Sequence, residues 1–484
     1  MSTATSTLKR MFINGQWVEA ADGRTLSVIN PATEETVDEI AYGGRDETRQ
    51  ALEAASAAMP AWRKQTAWDR AKVLKRTAEL MRERVEDLAR TLTMEQGKPL
   101  AESKAEMLHS ADTFEWFAEE GKRAYGQVIP PSQPGKRHVT VKHPIGVVAA
   151  ISPWNFPITL QSRKIAPALA VGCTIVCRPA SQTPLSLVQV FECMIEAGLP
   201  DGVANLVMGP AQEMADEFLE NPICRKISFT GSTEVGKQLM RGCADQLKRV
   251  SLELGGHAPF IVFPDADPEI GAKIAVTGKF RNNGQVCIAP SRFYVHKDVQ
   301  KKFTEATVEF ARALKLGNGL DAGVEIGPMF EQRAFDQTTD LVEDARSHGA
   351  DILTGGKRCD DFDKGYFFEP TVLTNVKGEM KMMTEEPFAP VMPLLDFDKV
   401  QDVIDQANNT KYGLAAYVFT NDLSIAWEMA EGLEAGIIGI NDPVPASPQC
   451  PFGGMKESGL GRELAHEGLE AYVETKYVSF KLRD

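Results

Sequence analysis

The sequence has no long apolar run, no clustered cysteines and no basic stretch, and each absence excludes a class of protein. No apolar segment is long enough to span a bilayer, and the first twenty residues lack the apolar core of a secretion signal. The net charge is −14, and no dense run of Lys and Arg offers a nucleic-acid partner a basic patch. We therefore expect a soluble, cytoplasmic protein without a membrane or nucleic-acid partner.

Cysteine and histidine also lack the spacings of structural sites. None of the eight cysteines forms a C-x-x-C pair, and none of the seven histidines forms an H-x-x-x-H pair. A chain of 484 residues can bury a large core and needs no disulfide framework. We expect reduced thiols and no metal site.

What is present is the alternation of an α/β protein, long enough for more than one folding unit. Asn14 and Gly15 between two short apolar runs predict a hairpin. The pattern is helical from about residue 46 to 96 and, after an interruption by GKP at 97–99, again to about 121. Short β-rich runs then alternate with helical ones, which predicts a mainly parallel sheet with helices on both faces. The runs are Val147–Ile151, 174–177, 205–208, 226–230 and 259–263. A second series, from about 271 to 460, predicts a second α/β domain.

The segment NGQVC at residues 283–287 contains a candidate nucleophile, Cys287. A lone cysteine is more often an inert core residue. Here, however, Gly284 permits a close backbone approach and the flanking residues are polar. A nucleophilic thiol needs access and a lowered pKa, which neighbouring N–H groups can provide.

Two further segments contain polar residues suited to acyl chemistry. In LELGG (252–256), Glu253 is either a strand-end residue that faces solvent or a general base whose pKa is raised by an apolar site. In SPWNFP (152–157), Asn155 follows a predicted strand directly. It either caps the next helix or donates an amide N–H to a developing oxyanion.

The segment GSTEVGK (231–237) nearly matches a phosphate-binding loop. The next residue is Gln238, which lacks the hydroxyl that holds magnesium, so a P-loop NTPase is disfavoured and should fail to bind ATP with magnesium. We interpret the segment as a helix N-terminus that faces a cofactor phosphate.

Together with EEPFAP (385–390) and PFGGMKESG (451–459), these segments resemble the aldehyde dehydrogenase superfamily, in family order and almost end to end. The sequence is most similar in character to succinate-semialdehyde and 2-oxoglutarate-semialdehyde dehydrogenases. The resemblance implies a Rossmann-type cofactor domain (1–125 and 142–255), an α/β catalytic domain (256–458) and a β oligomerisation arm (126–141 and 459–484). It also implies a homodimer or homotetramer.

The resemblance assigns roles residue by residue. Cys287 is the nucleophile that forms a thiohemiacetal and then a thioester, Asn155 stabilises the oxyanion together with the backbone N–H of Cys287, and Glu253 activates the hydrolytic water. The residues implied for NAD or NADP are Trp154, Gly231, Ser232, Leu254, Glu386 and Phe388. A non-catalytic relative is disfavoured because all three catalytic residues are present.

Two cofactor positions depart from the commonest family pattern. Arg178 replaces the usual Lys, and Ser181 stands where NAD-preferring members often have a Glu. Ser181 does not repel a 2′-phosphate, and the Arg178 guanidinium can pair with one bidentately. We therefore expect NADP to be accepted as well as NAD.

Three residues match positions that bind the distal carboxylate in semialdehyde dehydrogenases: Arg163, Arg281 and, more weakly, Ser447. The alternative is that both arginines are solvated helix residues. We expect oxidation of a small acidic aldehyde such as succinate semialdehyde. The same chemistry on 2-oxoglutarate semialdehyde, another anionic aldehyde, or a neutral or aromatic aldehyde remains open.

Overall fold

A computed structural model describes residues 8–482. The helices are α1 (Arg45–Lys64), α2 (Ala67–Glu83), α3 (Val85–Gln96), α4 (Leu100–Glu120), α5 (Pro157–Val171), α6 (Leu185–Glu196), α7 (Ala211–Glu220), α8 (Thr233–Ala244), α9 (Pro268–Phe280), α10 (Gln300–Ala313), α11 (Gln332–Ser347), α12 (Lys381–Thr384), α13 (Val400–Asn408), α14 (Leu423–Gly432) and α15 (Ala465–Glu470). Short 3-10 turns lie at Gly121–Arg123, Arg281–Gly284 and Lys456–Ser458.

The strands are β1 (Met11–Ile13), β2 (Gln16–Val18), β3 (Thr25–Ile29), β4 (Thr36–Ala41), β5 (Gln127–Ile129), β6 (Lys136–Pro144), β7 (Val147–Ile151), β8 (Thr174–Arg178), β9 (Ala204–Leu206), β10 (Cys224–Thr230), β11 (Arg249–Glu253), β12 (Ala258–Val262), β13 (Pro290–His296), β14 (Asp351–Thr354), β15 (Thr371–Thr374), β16 (Val391–Phe397), β17 (Ala415–Phe419), β18 (Ile437–Ile440), β19 (Gly459–Leu460) and β20 (Val473–Lys481). β3 and β4 form a hairpin of their own.

The first sheet has the order β19-β11-β10-β7-β8-β9-β1-β2. The predicted strands from β7 to β10 are confirmed, and they pair in parallel with one another and with β11. Every residue of β7 is buried, as expected for a parallel strand covered on both faces. The predicted hairpin forms β1 and β2 at one edge, with Asn14 and Gly15 at φ 51° and 79°.

The second sheet has the order β14-β15-β16-β13-β12-β17-β18 and is parallel except at β14. The run at 259–263, which continues the first series in the sequence, lies instead in the centre of this sheet as β12. The chain crosses between the two sheets at Gly255 and Gly256. A Cβ on Gly256 would lie 2.4 Å from the carbonyl oxygen of Cys287, so only glycine fits this crossing.

The helical region before the first sheet is more divided than its periodicity suggests. The stretch predicted from 46 to 96 forms three helices, because the chain breaks at Gln65 and Arg84. Thr66 caps α2, and its hydroxyl accepts a hydrogen bond of 3.2 Å from Asp69 N. α4 packs against α2 and α5.

A three-stranded antiparallel sheet, β20-β6-β5, joins the C-terminal strand to residues 127–144. Val128, Tyr477 and Phe480 on this sheet are exposed by 83%, 57% and 50%. The sheet extends to Pro144, past the predicted end of the arm at 141. Gly459–Leu460 pairs with β11 of the first sheet, and α15 packs on α5. No helix within residues 8–482 combines the length and apolarity needed to cross a membrane.

Candidate active site

Two neighbouring cavities meet at Cys287. One has a volume of about 310 Å³ and the other about 220 Å³, and Asn155, Leu160 and Cys287 line both. Thr230 and Glu253, the last residues of β10 and β11, line only the smaller one. The site therefore lies at the carboxyl ends of the first sheet, where open α/β sheets bind ligands.

The segment that carries Cys287 is held by its own polar side chains. Asn282 and Asn283 adopt the left-handed conformation, with φ 46° and 56°. Gln285 bridges two loops, because its Nε2 donates to Asn282 O (3.0 Å) and its Oε1 accepts from Phe330 N (2.8 Å). Cys287 is only partly buried, whereas the residues on either side of it are buried, so the thiol is accessible from the cavities.

Asn155 lies opposite this segment and does not cap a helix. Its Nδ2 donates to Gln285 O (3.1 Å), which leaves the second amide N–H for a ligand. The first backbone N–H groups of α5, from Ile158 and Thr159, are instead satisfied by Oε1 of Glu106 at 3.0 and 3.2 Å. The helix-cap alternative for Asn155 is therefore wrong.

Glu253 is 2% exposed, and neither carboxylate oxygen has a hydrogen-bond partner among residues 8–482. The alternative of a solvent-facing Glu253 is therefore wrong. Burial raises its pKa to about 7, the charge of Glu463 adds to this, and Lys164 and Arg163 oppose it. Lys164 Nζ donates to Glu463 Oε1 (2.5 Å) and Thr230 Oγ1 (2.7 Å), so a buried ion pair lies near Glu253.

The pKa of Cys287 is raised well above its ordinary value, not lowered as the chemistry of a nucleophilic thiol suggests. Burial is the main cause, and the charges of Glu253 and Glu386 add to it, while Arg163 opposes them. Cys287 in this state is a neutral thiol beside a carboxyl group of near-neutral pKa. Because the pKa of the thiol lies above that of the carboxyl group, the proton stays on sulfur in this state.

Six of the residues that the resemblance implies for the cofactor lie together around the smaller cavity. Trp154, Gly231, Ser232, Leu254, Glu386 and Phe388 all line it. Ser232 caps α8, so the N-terminus of this helix opens at the cavity, and Oε1 of Glu386 accepts from Gly256 N at 3.1 Å. Burial raises the pKa of Glu386 to about 8. A Cβ on Gly255 would lie 2.4 Å from Glu386 Oε2, so glycine keeps this wall open.

Lys237, the basic residue of the near-match to a phosphate loop, pairs with Glu457 at 2.8 Å. Its ammonium group therefore has a carboxylate partner on another segment. Within residues 8–482, no group of three or more His, Cys, Asp or Glu side chains is arranged to hold a metal ion.

Arg178, the last residue of β8, and Ser181 contact each other and do not line the smaller cavity. Arg178 Nη2 donates to Ser181 Oγ and to Gly209 O, both at 3.2 Å, and Ser181 Oγ donates to Gly209 O at 3.3 Å. Arg178 Nε has no partner among the described residues. The Arg178 guanidinium therefore has an N–H without a partner, and the residue at position 181 contributes no carboxylate.

Arg163 and Arg281 both line the larger cavity. Arg163 is 5% exposed, its guanidinium lies 4.1 Å from the centre of the Phe452 ring, and its Nη1 is 3.9 Å from Glu463 Oε2. The solvated-helix alternative is therefore wrong for Arg163. The Arg281 guanidinium lies 4.9 Å from the centre of the Phe156 ring. Ser447 does not line the cavity, although the neighbouring Ala446 does, and its contact with a ligand stays a prediction.

Comparison with known proteins agrees with this geometry. The profile of the aldehyde dehydrogenase family matches residues 17–478. The chain belongs to the aldehyde dehydrogenase family. It is 48% identical to succinate-semialdehyde dehydrogenase [NADP(+)] GabD of Escherichia coli strain K12, over 98% of each chain. It is also 48% identical to a glutarate-semialdehyde dehydrogenase of Pseudomonas putida strain KT2440, over 97% of each. The crystal structure of an NADP-dependent enzyme of E. coli superposes with a TM-score of 0.96, at 48% identity over 98% of each chain.

One wall of the larger cavity in this aldehyde dehydrogenase was not foreseen. Glu102, Ala105, Glu106 and His109 lie at i, i+3, i+4 and i+7 of α4 and face the cavity together. Three polar residues at this spacing are typical of a solvated helix face, so the sequence carries no signal for this wall. Lys98, in the GKP segment, is buried and donates to Glu106 Oε2 and to Asn155 O, both at 2.6 Å.

Proposed function

We propose that this enzyme oxidises small aldehydes that carry a distal acid group, such as succinate semialdehyde, with NAD or NADP as the hydride acceptor. The observation that carries the proposal is that Arg163 and Arg281 line the same cavity as Cys287. Guanidinium groups pair well with carboxylates, and a partly desolvated pair penalises neutral aldehydes. The names of both curated relatives describe aldehydes with a distal carboxylate, which supports the same class.

The reaction begins with the Cys287 thiol and the Glu253 carboxylate. Glu253 accepts the thiol proton as sulfur attacks the aldehyde carbon, which gives a thiohemiacetal. The oxyanion is held by the free N–H of Asn155 Nδ2 and by the backbone N–H of Cys287. Because the amide already donates its other N–H to Gln285 O, its orientation is set before the substrate arrives.

Bound NAD or NADP supplies the hydride acceptor that turns the thiohemiacetal into a thioester. Glu253, after releasing the first proton, takes a proton from water, and the resulting hydroxide attacks the thioester carbon. The C–S bond breaks, the carboxylic acid leaves, and Cys287 regains a proton. A pKa of about 7 suits Glu253 to both tasks, because the carboxyl group exchanges protons readily near neutral pH.

The smaller cavity fits a nicotinamide dinucleotide. Glu386 and Phe388 would hold the nicotinamide ribose and ring, with Trp154 and Leu254 beside them, and Gly231 and Ser232 would hold the pyrophosphate at the N-terminus of α8. We propose that Arg178 and Ser181 accept a 2′-phosphate, since Arg178 has an unpartnered Nε and position 181 contributes no negative charge. NADP is therefore expected to be used as well as NAD.

We also propose that residues 1–125 and 142–255 form the cofactor domain, that 256–458 form the catalytic domain, and that 126–141 and 459–484 form an oligomerisation arm, which contains most of the three-stranded sheet. Residues 1–7 and 483–484 of these ranges lie outside the described residues. The exposed apolar side chains of that sheet support a homodimer or homotetramer. The cytoplasm is the proposed location.

The test is the initial rate of reduced-nicotinamide absorbance with succinate semialdehyde and with hexanal, each with NAD and with NADP. We expect a strong preference for the acidic aldehyde. Cys287→Ala should abolish turnover, whereas Cys450→Ala, which changes the exposed cysteine of a loop, is the matched control. A preference for hexanal would keep Cys287, Glu253 and Asn155 in their roles but would refute acid binding by the arginines. A panel including 2-oxoglutarate semialdehyde and an aromatic aldehyde tests the remaining alternatives.

A further inference from the structure

His109 is a polar residue of the larger cavity to which the mechanism above gives no task. It lies on the cavity face of α4, one turn beyond Glu106 and two beyond Glu102. Its ring forms no hydrogen bond with any residue in the described range 8–482. A neutral imidazole has one N–H donor and one acceptor nitrogen, so the ring has its full capacity available to a ligand in the cavity.

The charged groups that face His109 come from three elements. Arg163 on α5 and Arg281 before the nucleophile segment line the same cavity and disfavour a positive charge on the imidazole. Asp112, on the next turn of α4, acts in the opposite direction, but it already pairs with Arg82 of α2 at 2.6 Å. Burial and the two cavity arginines lower the pKa of His109 to about 4, so the ring is neutral at pH 7 without a ligand.

Carboxylates already accompany the cations around this cavity. Glu463 lies 3.9 Å from Arg163, and Glu106 pairs with Lys98 at 2.6 Å. Glu102 accepts hydrogen bonds from Asn282 N at 3.0 and 3.1 Å, and the charge of Arg281 opposes the burial that raises the pKa of Glu102. An incoming acid group therefore enters a site that is not strongly positive. A proton added to a neutral base in the cavity wall would increase the attraction.

We propose that His109 is a third anion contact of the substrate cavity, which donates an N–H to the distal acid group between Arg163 and Arg281 and takes up a proton as that group binds. The inference rests on the proposed function and adds that selectivity for acidic aldehydes is linked to pH. The proton comes from solvent and binds the free ring nitrogen, so the imidazole becomes a cation beside the bound anion. No covalent bond of the substrate changes in this step.

The sign of the pH dependence follows from linkage. The bound anion offsets the two arginines and raises the pKa of His109 back toward its ordinary value of 6.5. The extra affinity is then fully present below the free-state pKa of about 4 and is lost as pH rises through the bound-state pKa. Each pKa unit corresponds to a tenfold change, so between pH 8 and pH 5.5 the preference for the anion should rise about tenfold.

The experiment compares kcat/KM for succinate semialdehyde with that for butanal from pH 5.5 to 8. The ratio cancels the titration of Glu253 and Cys287 in the free enzyme, and any slope that remains in His109→Gln measures the effect of a bound acid group on the pKa values of those two residues. We expect the ratio to rise about tenfold toward low pH in the wild type and to stay nearly flat in His109→Gln, which retains an N–H donor but does not titrate. His348→Gln, at an exposed histidine directly after α11, is the matched control and should keep the wild-type slope.

The possible failures are distinguishable. A wild-type slope retained in His109→Gln would overturn the role of His109, whereas the absence of any preference for the acidic aldehyde at every pH would overturn the proposed function itself. Turnover of butanal reports whether the variant is folded. If His109→Gln does not fold, calorimetric titration of Cys287→Ala with succinate semialdehyde at pH 6.5 decides the question. In two buffers of different ionisation enthalpy it should show proton uptake that butanal does not cause, and no uptake would overturn the inference.

Discussion

Substituting Lys98 by Met tests whether a buried cation holds the oxyanion donor in place. The Lys98 ammonium lies 3.7 Å from the centre of the Phe156 ring and donates at 2.6 Å both to Glu106 Oε2 and to the main-chain oxygen of Asn155. Methionine has a similar length but no charge and no donor. Lys98→Met therefore removes one of the two donors to Asn155 O and leaves Glu106 without its counter-charge.

The magnitude follows from the burial of the pair. Both side chains are 0% exposed, so solvent screens neither charge, and breaking such a pair costs about 3–5 kcal/mol. Glu106 keeps the N–H groups of Ile158 and Thr159, which favours the low end of that range. Complete loss of an oxyanion donor lowers kcat by about 10²–10³-fold, and since Asn155 Nδ2 keeps its bond to Gln285 O, we expect about a tenfold loss with little change in KM.

The assay combines thermal unfolding with steady-state kinetics on Lys98→Met, on the double variant Lys98→Met/Glu106→Gln, and on Lys104→Met as a control. Lys104 lies on α4, the helix of Glu106, in a surface pair with Glu86, so its loss should change stability by less than about 1 kcal/mol. The double variant should regain stability, because glutamine keeps the acceptor for α5 without a buried charge, but it should not regain kcat. The reasoning is refuted if Lys98→Met keeps the wild-type kcat, or if the double variant is no more stable than the single one.

Three further predictions concern pH and selectivity. The rate of thioester hydrolysis should rise with pH through about 7 as Glu253 loses its proton. Glu463→Gln should shift this rise to lower pH by on the order of one pKa unit, because the substitution removes a negative charge and leaves Lys164 unpaired. A pH–rate profile in which the rise moves to higher pH would contradict this. Arg281→Ala should raise KM for succinate semialdehyde far more than for hexanal, and an equal loss on both would make Arg281 only structural. Arg178→Ala should raise KM for NADP by about tenfold or more and KM for NAD much less, and equal effects in cofactor titrations would remove Arg178 from 2′-phosphate recognition.

The parts of the fold that depend on local patterns could be predicted from the sequence. Asn14-Gly15 specified its hairpin, and the β-rich runs at β7 to β10 formed the expected strands. The sheet to which a strand belongs is not a local property. The run at 259–263 is short and apolar like several of its predecessors, and nothing in it indicates that it joins the other sheet. The close approach of Gly256 to Cys287 at this crossing is visible only in the structure. The helix boundary at Thr66 likewise depends on one side-chain cap inside a continuous helical pattern.

The candidate site divides in the same way. Glu253 ends β11 and Asn155 follows β7, and the carboxyl ends of these strands meet at one edge of the first sheet. Cys287 precedes β13 of the second sheet, so only the family resemblance placed it in the same site. The inward face of α4 was hidden, since its Glu and His residues look like a solvated surface until α2 and α5 cover the helix. Periodicity reports which residues share a face but not which face is buried.

The sequence also did not predict that the pKa of Cys287 is raised, and this shift changes how the thiol would be activated. Glu253 is buried and Cys287 is partly buried, and a negative charge on Glu253 raises the pKa of Cys287. The two groups together therefore favour a single negative charge. When one proton moves from sulfur to Glu253, the total charge of the pair stays the same and the negative charge moves to the attacking sulfur. Arg163 lowers the pKa of both groups, so an acid group that binds Arg163 weakens this effect. The guanidinium of Arg163 thus both binds the acid group of the aldehyde and stabilises the thiolate. The positioning of the thiol by the backbone and Asn155 is therefore more important than a preformed thiolate.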